Sequence, residues 1–278
     1  MTFDPDSFLR QTGLLPDEKI DVARAGLALA AAAHPGISIG RYESHLEKLA
    51  QDVAQRHKFL LQEGREDSAE TQLAALTDVL SEACGYTGDT QTHDDLQNAD
   101  LMRVIDRRKG LSITLSLLYI HAGSAQGWDV RALRFPGHML CRIEKDGVRL
   151  IFDPFTGGRI MQAPDLRDLV KRLMGPQAEL SSSYYEVSAQ REILIRLQNN
   201  IKLRQIEAGE YDSAVRTVEK MRLIDPDEWR LLLDAGVLYA RLRKKEEAVQ
   251  ALEAYLARAP QGLAFREAAL LLQELKDN

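Results

Sequence analysis

Residues 110–158 read GLSITLSLLYIHAGSAQGWDVRALRFPGHMLCRIEKDGVRLIFDPFTGG, and two textures follow one another in them. From Ser112 to Ala125 nearly every residue is apolar or small, leaving no polar face to turn toward water. A helix that is apolar all round is a buried one, so this segment belongs at the centre of its domain. Gly127 closes it. Period-two alternation then takes over in three short runs, Asp129 to Phe135, His138 to Glu144 and Val148 to Phe152. That period buries one face of a strand and exposes the other. Pro136-Gly137 separates the first two runs, and Lys145-Asp146-Gly147, with the composition of a hairpin loop, separates the second and third. A buried helix followed by an antiparallel meander predicts an α+β domain.

Upstream, residues 16–98 read as helices. Pro16-Asp17-Glu18 places a proline and acids in a first turn, and His34-Pro35-Gly36 stops the apolar run that follows. A second helical pattern runs from about Arg41 to Leu61 and a third from about Ala69 to Ala83, each with leucines and valines on one face. A polar loop through Gly88 and His93-Asp94-Asp95 comes next, then a short charged helix from Asp100 to Lys109, ended by Gly110. From about Tyr184 the chain is helical again and repeats itself. Ala214 and Pro226 recur 34 residues later as Ala248 and Pro260, and the second copy adds Trp229, Gly236 and Tyr239 at tetratricopeptide spacings. The small residues let two helices approach closely, and each proline ends a hairpin. Leu263 to Lys276 reads as a terminal helix covering the exposed edge. The expected organisation is an N-terminal helical region over 1–98, a core over 99–183 and helical repeats over 184–278, the repeats docked on the first domain because two units are fewer than a solenoid needs.

Composition narrows the function classes. With 45% hydrophobic and 28% charged residues in 278, the chain has apolar surface for one large core or two ordinary ones. The net charge of −6 argues against nucleic acid or an anionic membrane as the partner, since phosphate recognition needs a concentrated positive field. Two cysteines, Cys84 and Cys141, make no disulfide framework. The opening MTFDPDSFLRQTG has neither a basic n-region nor an apolar h-region, and the run Ala25 to Ala33 is too short to span a bilayer, so the expected location is the cytoplasm.

Candidate chemistry gathers in the quoted stretch. His138 follows Pro136-Gly137, and Asp153 stands fifteen residues later, at the end of the third run and before Pro154. Adjacent antiparallel strands bring such a pair side by side, with the carboxylate holding the imidazole tautomer. A turn histidine and a strand-ending Asp-Pro explain the same residues without chemistry. A nucleophile belongs at the start of the buried helix, where free N–H groups and the helix dipole stabilise an anion. Ser112 and Thr114 stand there, and Ser112 is equally the natural N-cap. Cys141 lies three residues after His138, which strand alternation sends to the opposite face and into the core. Nothing in the spacing brings Cys84 to His138.

His93-Asp94-Asp95 reads as a hydrated loop rather than a metal site, because no second cluster has ligand spacing. Arg103, Arg107, Arg108 and Lys109 lie among Asp100 and Asp106 as a salt-bridged helix face. There is no glycine-rich phosphate loop or dinucleotide fingerprint, so no cofactor is expected.

The Arg-Lys-Gly turn into the buried helix, Pro-Gly-His, Asp-Pro-Phe with two glycines after it, and the downstream repeats together resemble the transglutaminase-like superfamily. More narrowly, they are similar to the bacterial SirB-one family, which joins such a core to a tetratricopeptide tail, over about residues 35–265. The resemblance implies a papain-like arrangement, with a nucleophile on the helix N-terminus and a His and an Asp on neighbouring strands. His138 and Asp153 match the last two. The cysteine does not carry over: Ser112 stands at its position, or Thr114 if two residues are gapped. Two functions follow. One is a protein- or peptide-binding module with little or no catalysis, using the cleft and a repeat groove that Asn199 and Asn200 would face. The other is a hydrolase or acyltransferase acting on an amide, ester or thioester through Ser112, His138 and Asp153.

Overall fold

The computed structural model describes residues 3–92 and 94–277. They fall into two compact units, one holding Pro16–Ile193 and the other Asp6–Leu15 together with Leu194–Asn278.

The first unit is built around one helix. Helices α2 (Val22–Ala33), α3 (Gly40–Gln62), α4 (Ala69–Thr77) and α5 (Leu101–Arg107) surround α6 (Ser112–Ser124); α1 (Pro5–Leu14) precedes them in the chain. Eleven of the thirteen residues of α6 are buried, which is what its lack of a polar face requires. Asp21 caps α2 by accepting from the N–H groups of Ala23 and Arg24, and Ser68 caps α4 by accepting from Thr71. The third helical pattern does not run as α-helix to Ala83. It changes to a π-helix over Asp78–Ala83. Arg108, at φ +61°, ends α5 two residues before Gly110, so Lys109 and Gly110 become a short strand, β2, beside β1 (Thr87–Gly88).

Against α6 lies an antiparallel sheet in the order β3 (Asp129–Ala132), β4 (Cys141–Lys145), β5 (Val148–Asp153), β6 (Arg159–Ile160). Lys145 pairs with Val148, so the β4–β5 loop is the two residues Asp146 and Gly147, at φ +50° and +82°. Positive φ at both positions is the primed hairpin turn that Asp-Gly favours. The second alternating run is shorter than its pattern: His138 stands in the bend made by Pro136 and Gly137, and β4 starts only at Cys141. Gly137, at φ +67°, turns the chain there and releases His138 from strand geometry. Helix α7 (Ala163–Met174) closes a satellite core with Leu166, Leu169 and Val170 against Leu133, Phe135 and Leu140.

Helix α8 (Gln190–Glu207) has its first turn in the first unit and belongs from Leu194 to the second, where it leads into α9 (Tyr211–Ile224), α10 (Arg230–Arg241), α11 (Lys245–Leu256) and α12 (Leu263–Asp277). The repeated alanines Ala214 and Ala248 are fully buried. A Cβ added to Gly236 would meet Leu252 Cγ at 2.7 Å, so glycine sets the approach of α10 to α11. Trp229 packs on Tyr255 with ring centroids 5.6 Å apart. Helix α1, which carries no repeat signal in the sequence, packs here: a Cβ at Gly13 would meet the Leu223 carbonyl at 2.2 Å, and Lys220 pairs with Asp6.

A buried polar network fixes the approach to α6. Asp89 accepts from the Thr92 hydroxyl at 2.6 Å, from the N–H groups of Thr92 and Gln91 at 3.0 Å, and from Arg107 at 3.0 Å. These donors, the Thr92 hydroxyl first among them, hold its carboxyl well below the usual carboxylate range. A carboxylate depressed on folding adds stability that is complete above the unfolded pKa of about 4 and lost as pH falls through the folded value. Asp89→Asn should therefore flatten the acid limb of the stability-versus-pH curve in denaturant titrations. Acid limbs of equal slope in variant and parent would contradict the network.

Candidate functional site

The site assembles where three elements end. Asp153 closes β5 and caps the 3-10 turn Pro154–Thr156. Its Oδ1 lies 2.8 Å from His138 Nε2 and accepts from the Phe155 N–H at 2.9 Å, while Oδ2 accepts from the Thr156 hydroxyl at 3.2 Å. Three donors on one nearly sealed carboxylate, 4% exposed, fix its orientation and through it the imidazole. Engagement of Nε2 leaves Nδ1 as the ring nitrogen available for proton transfer. Phe155 stands edge-on to His138, with centroids 5.6 Å apart, and its other side presses on Gly88, where a Cβ would lie 2.4 Å from the ring.

The start of α6 is the third component. Leu111, not Ser112, is the N-cap residue, with φ −71° and ψ 159°, and no side chain caps the helix. Ser112 is the first helical residue. Its Oγ accepts from the Met139 N–H at 3.0 Å, which ties the hydroxyl to the backbone next to His138. Ser112 donates to no described residue and is 9% exposed. The Thr114 hydroxyl donates instead to the Asn98 carbonyl at 2.8 Å and is sealed from solvent. Among the described residues, the N–H groups of Ser112 and Ile113 have no acceptor, as the first turn of a helix dictates. The structure thus brings His138 and Asp153 into contact, sets Ser112 against the neighbouring backbone and turns Thr114 away.

Neither cysteine joins them. Cys141 is fully buried, and burial pushes its thiol up to about 12, with the Ser116 hydroxyl opposing only in part. Its place in the core does not follow from alternation with His138, which lies outside the strand; it follows from the contact of its thiol with the Ser116 hydroxyl of α6. Cys84 is half-buried, and desolvation raises its pKa as well. His93 lies outside the described residues, among which no group of three or more metal-ligating side chains gathers.

Asn98 and Phe155 complete the setting; neither was among the candidate site residues, although Phe155 belongs to the Asp-Pro-Phe motif. Asn98 is fully buried, and its carbonyl accepts from both the Leu111 N–H and the Thr114 hydroxyl. The Asn-Ala-Asp before α5 was the available signal, because asparagine is enriched where backbone groups at an element's edge need a partner.

In the second unit, a groove of about 390 Å³ is lined by Ile206 of α8, Leu233, Val237 and Arg241 of α10, and Glu267 and Leu271 of α12. Neither Asn199 nor Asn200 lines it. The Asn200 amide donates to its own helix at the Arg196 carbonyl, 2.8 Å away, and Asn199 is half-buried. Beside the groove, buried Lys202 pairs with Asp234 at 2.6 Å.

Comparison with known proteins agrees with both halves. Residues 40–199 match the model of the transglutaminase-like superfamily, and residues 201–273 match a tetratricopeptide repeat. Over 251 residues the chain is 26% identical to a UPF0162 protein of Xylella fastidiosa, covering 88% of this chain and 86% of the relative. A UPF0162 protein of Pseudomonas aeruginosa is 31% identical over 130 residues, 47% of each chain. Protein SirB1 of Salmonella typhimurium is 22% identical over 195 residues, 70% of this chain and 72% of that one. No helix among the described residues is long and apolar enough to cross a membrane. With a matched core over more than half its length and the repeats behind it, the chain belongs to the transglutaminase-like superfamily, in the SirB1-like group that carries a tetratricopeptide tail.

Proposed function

We propose that the chain is a cytoplasmic protein- or peptide-binding module with little or no catalytic turnover. The observation that carries this reading is the hydroxyl at the start of α6. Ser112 stands where a transglutaminase-like enzyme has its cysteine, its Oγ is engaged by the Met139 N–H, and it makes no hydrogen bond to His138. A cysteine beside a histidine ionises near neutral pH, whereas an alcohol must hand over its proton during attack. The repeat groove then supplies a contact surface, with half-exposed Val237 and the charged Arg241 and Glu267 in its lining.

The His138–Asp153 contact supports a second reading, an acyl hydrolase or acyltransferase. In it Ser112 attacks the carbonyl of an amide, ester or thioester, His138 takes the proton and returns it to the leaving group, and Asp153 orients the ring. The free N–H groups of the first turn would receive the oxyanion. Thr114 is the poorer nucleophile, since its hydroxyl is committed to Asn98.

Hydrolysis of a p-nitrophenyl ester separates the two. The binding reading expects Ser112→Ala and His138→Ala to stay within about twofold of the parent, whereas a loss of about a hundredfold or more in both would install the enzyme. In Ser112→Cys, alkylation by iodoacetamide should be faster at the new thiol than at Cys84 or Cys141, and His138→Ala should remove that advantage. Equal labelling in the two backgrounds would end the second reading. For the groove, peptides selected from a random display library against the full chain should bind about tenfold or more weakly to Val237→Glu. Selected peptides indifferent to that change would remove the groove from the proposal.

A further inference from the structure

At the opposite end of α6 from Ser112 lies a cavity of about 480 Å³ that takes no part in the His138 site. The thirteen residues of α6 separate the two by about 20 Å of helix. The volume falls within the range, about 300–1,000 Å³, that small-molecule sites occupy.

Its walls are polar, and two of their charged groups are already satisfied. Asp21 caps α2 and lies 3.3 Å from His121 Nδ1, while Arg131 donates to Asp129 at 2.8 Å. Three groups are left over. The side chains of Glu18 and Lys19, both exposed, make no ion pair or hydrogen bond with a described residue. Gln190 is 8% exposed and its Oε1 is buried without a donor. A buried acceptor left unpaired costs about 1–3 kcal/mol, a deficit that a ligand N–H would remove on a turn of the Gln190 amide toward the cavity it lines. Trp128 adds an indole wall, and the C-terminal end of α6 adds partial negative charge.

We propose that this cavity binds an organic ammonium group. The ammonium donates to Gln190 Oε1 and the Glu18 carboxylate and rests against the Trp128 ring, with the end of α6 behind it. Among the described residues, Lys19 is the one cation on the rim whose side chain has no partner. It is free to swing into solvent, or to meet a carboxylate carried by the same ligand, so simple amines and amino acids share the chemistry.

The test follows the two indole N–H signals, of Trp128 and Trp229, by ¹H–¹⁵N NMR of the full chain. Titration with n-butylammonium should shift the Trp128 signal saturably and leave Trp229 in place, while n-butanol and propionate should do neither. Glu18→Gln, at an exposed position that leaves folding intact, and Gln190→Leu should each weaken binding about fivefold or more. Lysine binding more tightly than n-butylammonium, with the difference lost in Lys19→Ala, would identify the amino acid as the ligand; equal binding would identify the amine. Absence of a saturable shift, a like response to n-butanol or propionate, or undiminished affinity in both variants would overturn the site.

Discussion

A helix with no polar face cannot be positioned by amphipathicity, because every rotation about its axis buries it equally well. Helix α6 is such a helix, and its rotation and axial setting must come from its ends. At the start, the Asn98 carbonyl accepts from the Leu111 N–H at 3.0 Å and from the Thr114 hydroxyl at 2.8 Å, so two donors one turn apart meet at a single atom. The Asn98 side chain is held in turn, donating to the Thr92 carbonyl at 2.6 Å and accepting from Arg107 at 3.0 Å. Arg107 reaches Asp89 as well. The charges that looked like a solvated helix face are, at Arg107, part of the buried frame that sets where Ser112 stands.

On the sheet side the constraint is release rather than anchorage. Were His138 inside β4, pleating would dictate which face its ring occupied. Pro136 and Gly137 take it out of the strand, and the ring is then placed by its bond to Asp153 and by Phe155. Gly88 permits Phe155 to sit there at all. Meanwhile the Met139 N–H, one residue on, has no strand partner and turns to Ser112 Oγ. One bend therefore places both the imidazole and the donor that engages the hydroxyl opposite it.

The elements that local patterning controls were legible in advance. The buried helix, the meander, the Asp-Gly hairpin and the 34-residue repeat each rest on periodicity or turn chemistry within a short window, and each is present, with the first two strands of the meander shorter than their alternating runs. What was not legible depends on partners distant in the chain. Ser112 has the composition of an N-cap, yet the Met139 N–H twenty-seven residues later claims its oxygen, and Leu111 takes the cap position. The π-helical turn after Thr77 and the attachment of α1 to the repeat unit likewise have no local signature. Asn199 and Asn200 are polar residues on a helix, and polarity alone does not say which groove a helix lines.

Retention of the His138–Asp153 pair does not by itself argue for catalysis. A carboxylate this far from solvent is costly unless donors surround it, and His138, Phe155 and Thr156 supply them. Removing the imidazole would leave Oδ1 with the Phe155 N–H alone. Stability alone thus gives reason enough for both residues. The informative atom is the one at Ser112. Sulfur in its place would stand at the unpaired N–H groups of α6, which lower a thiol pKa. An alcohol gains no comparable ionisation from them, and here its oxygen also accepts a backbone hydrogen bond. The free N–H groups that could hold an anion are therefore present at the start of α6, while the oxygen among them is already engaged by a backbone donor.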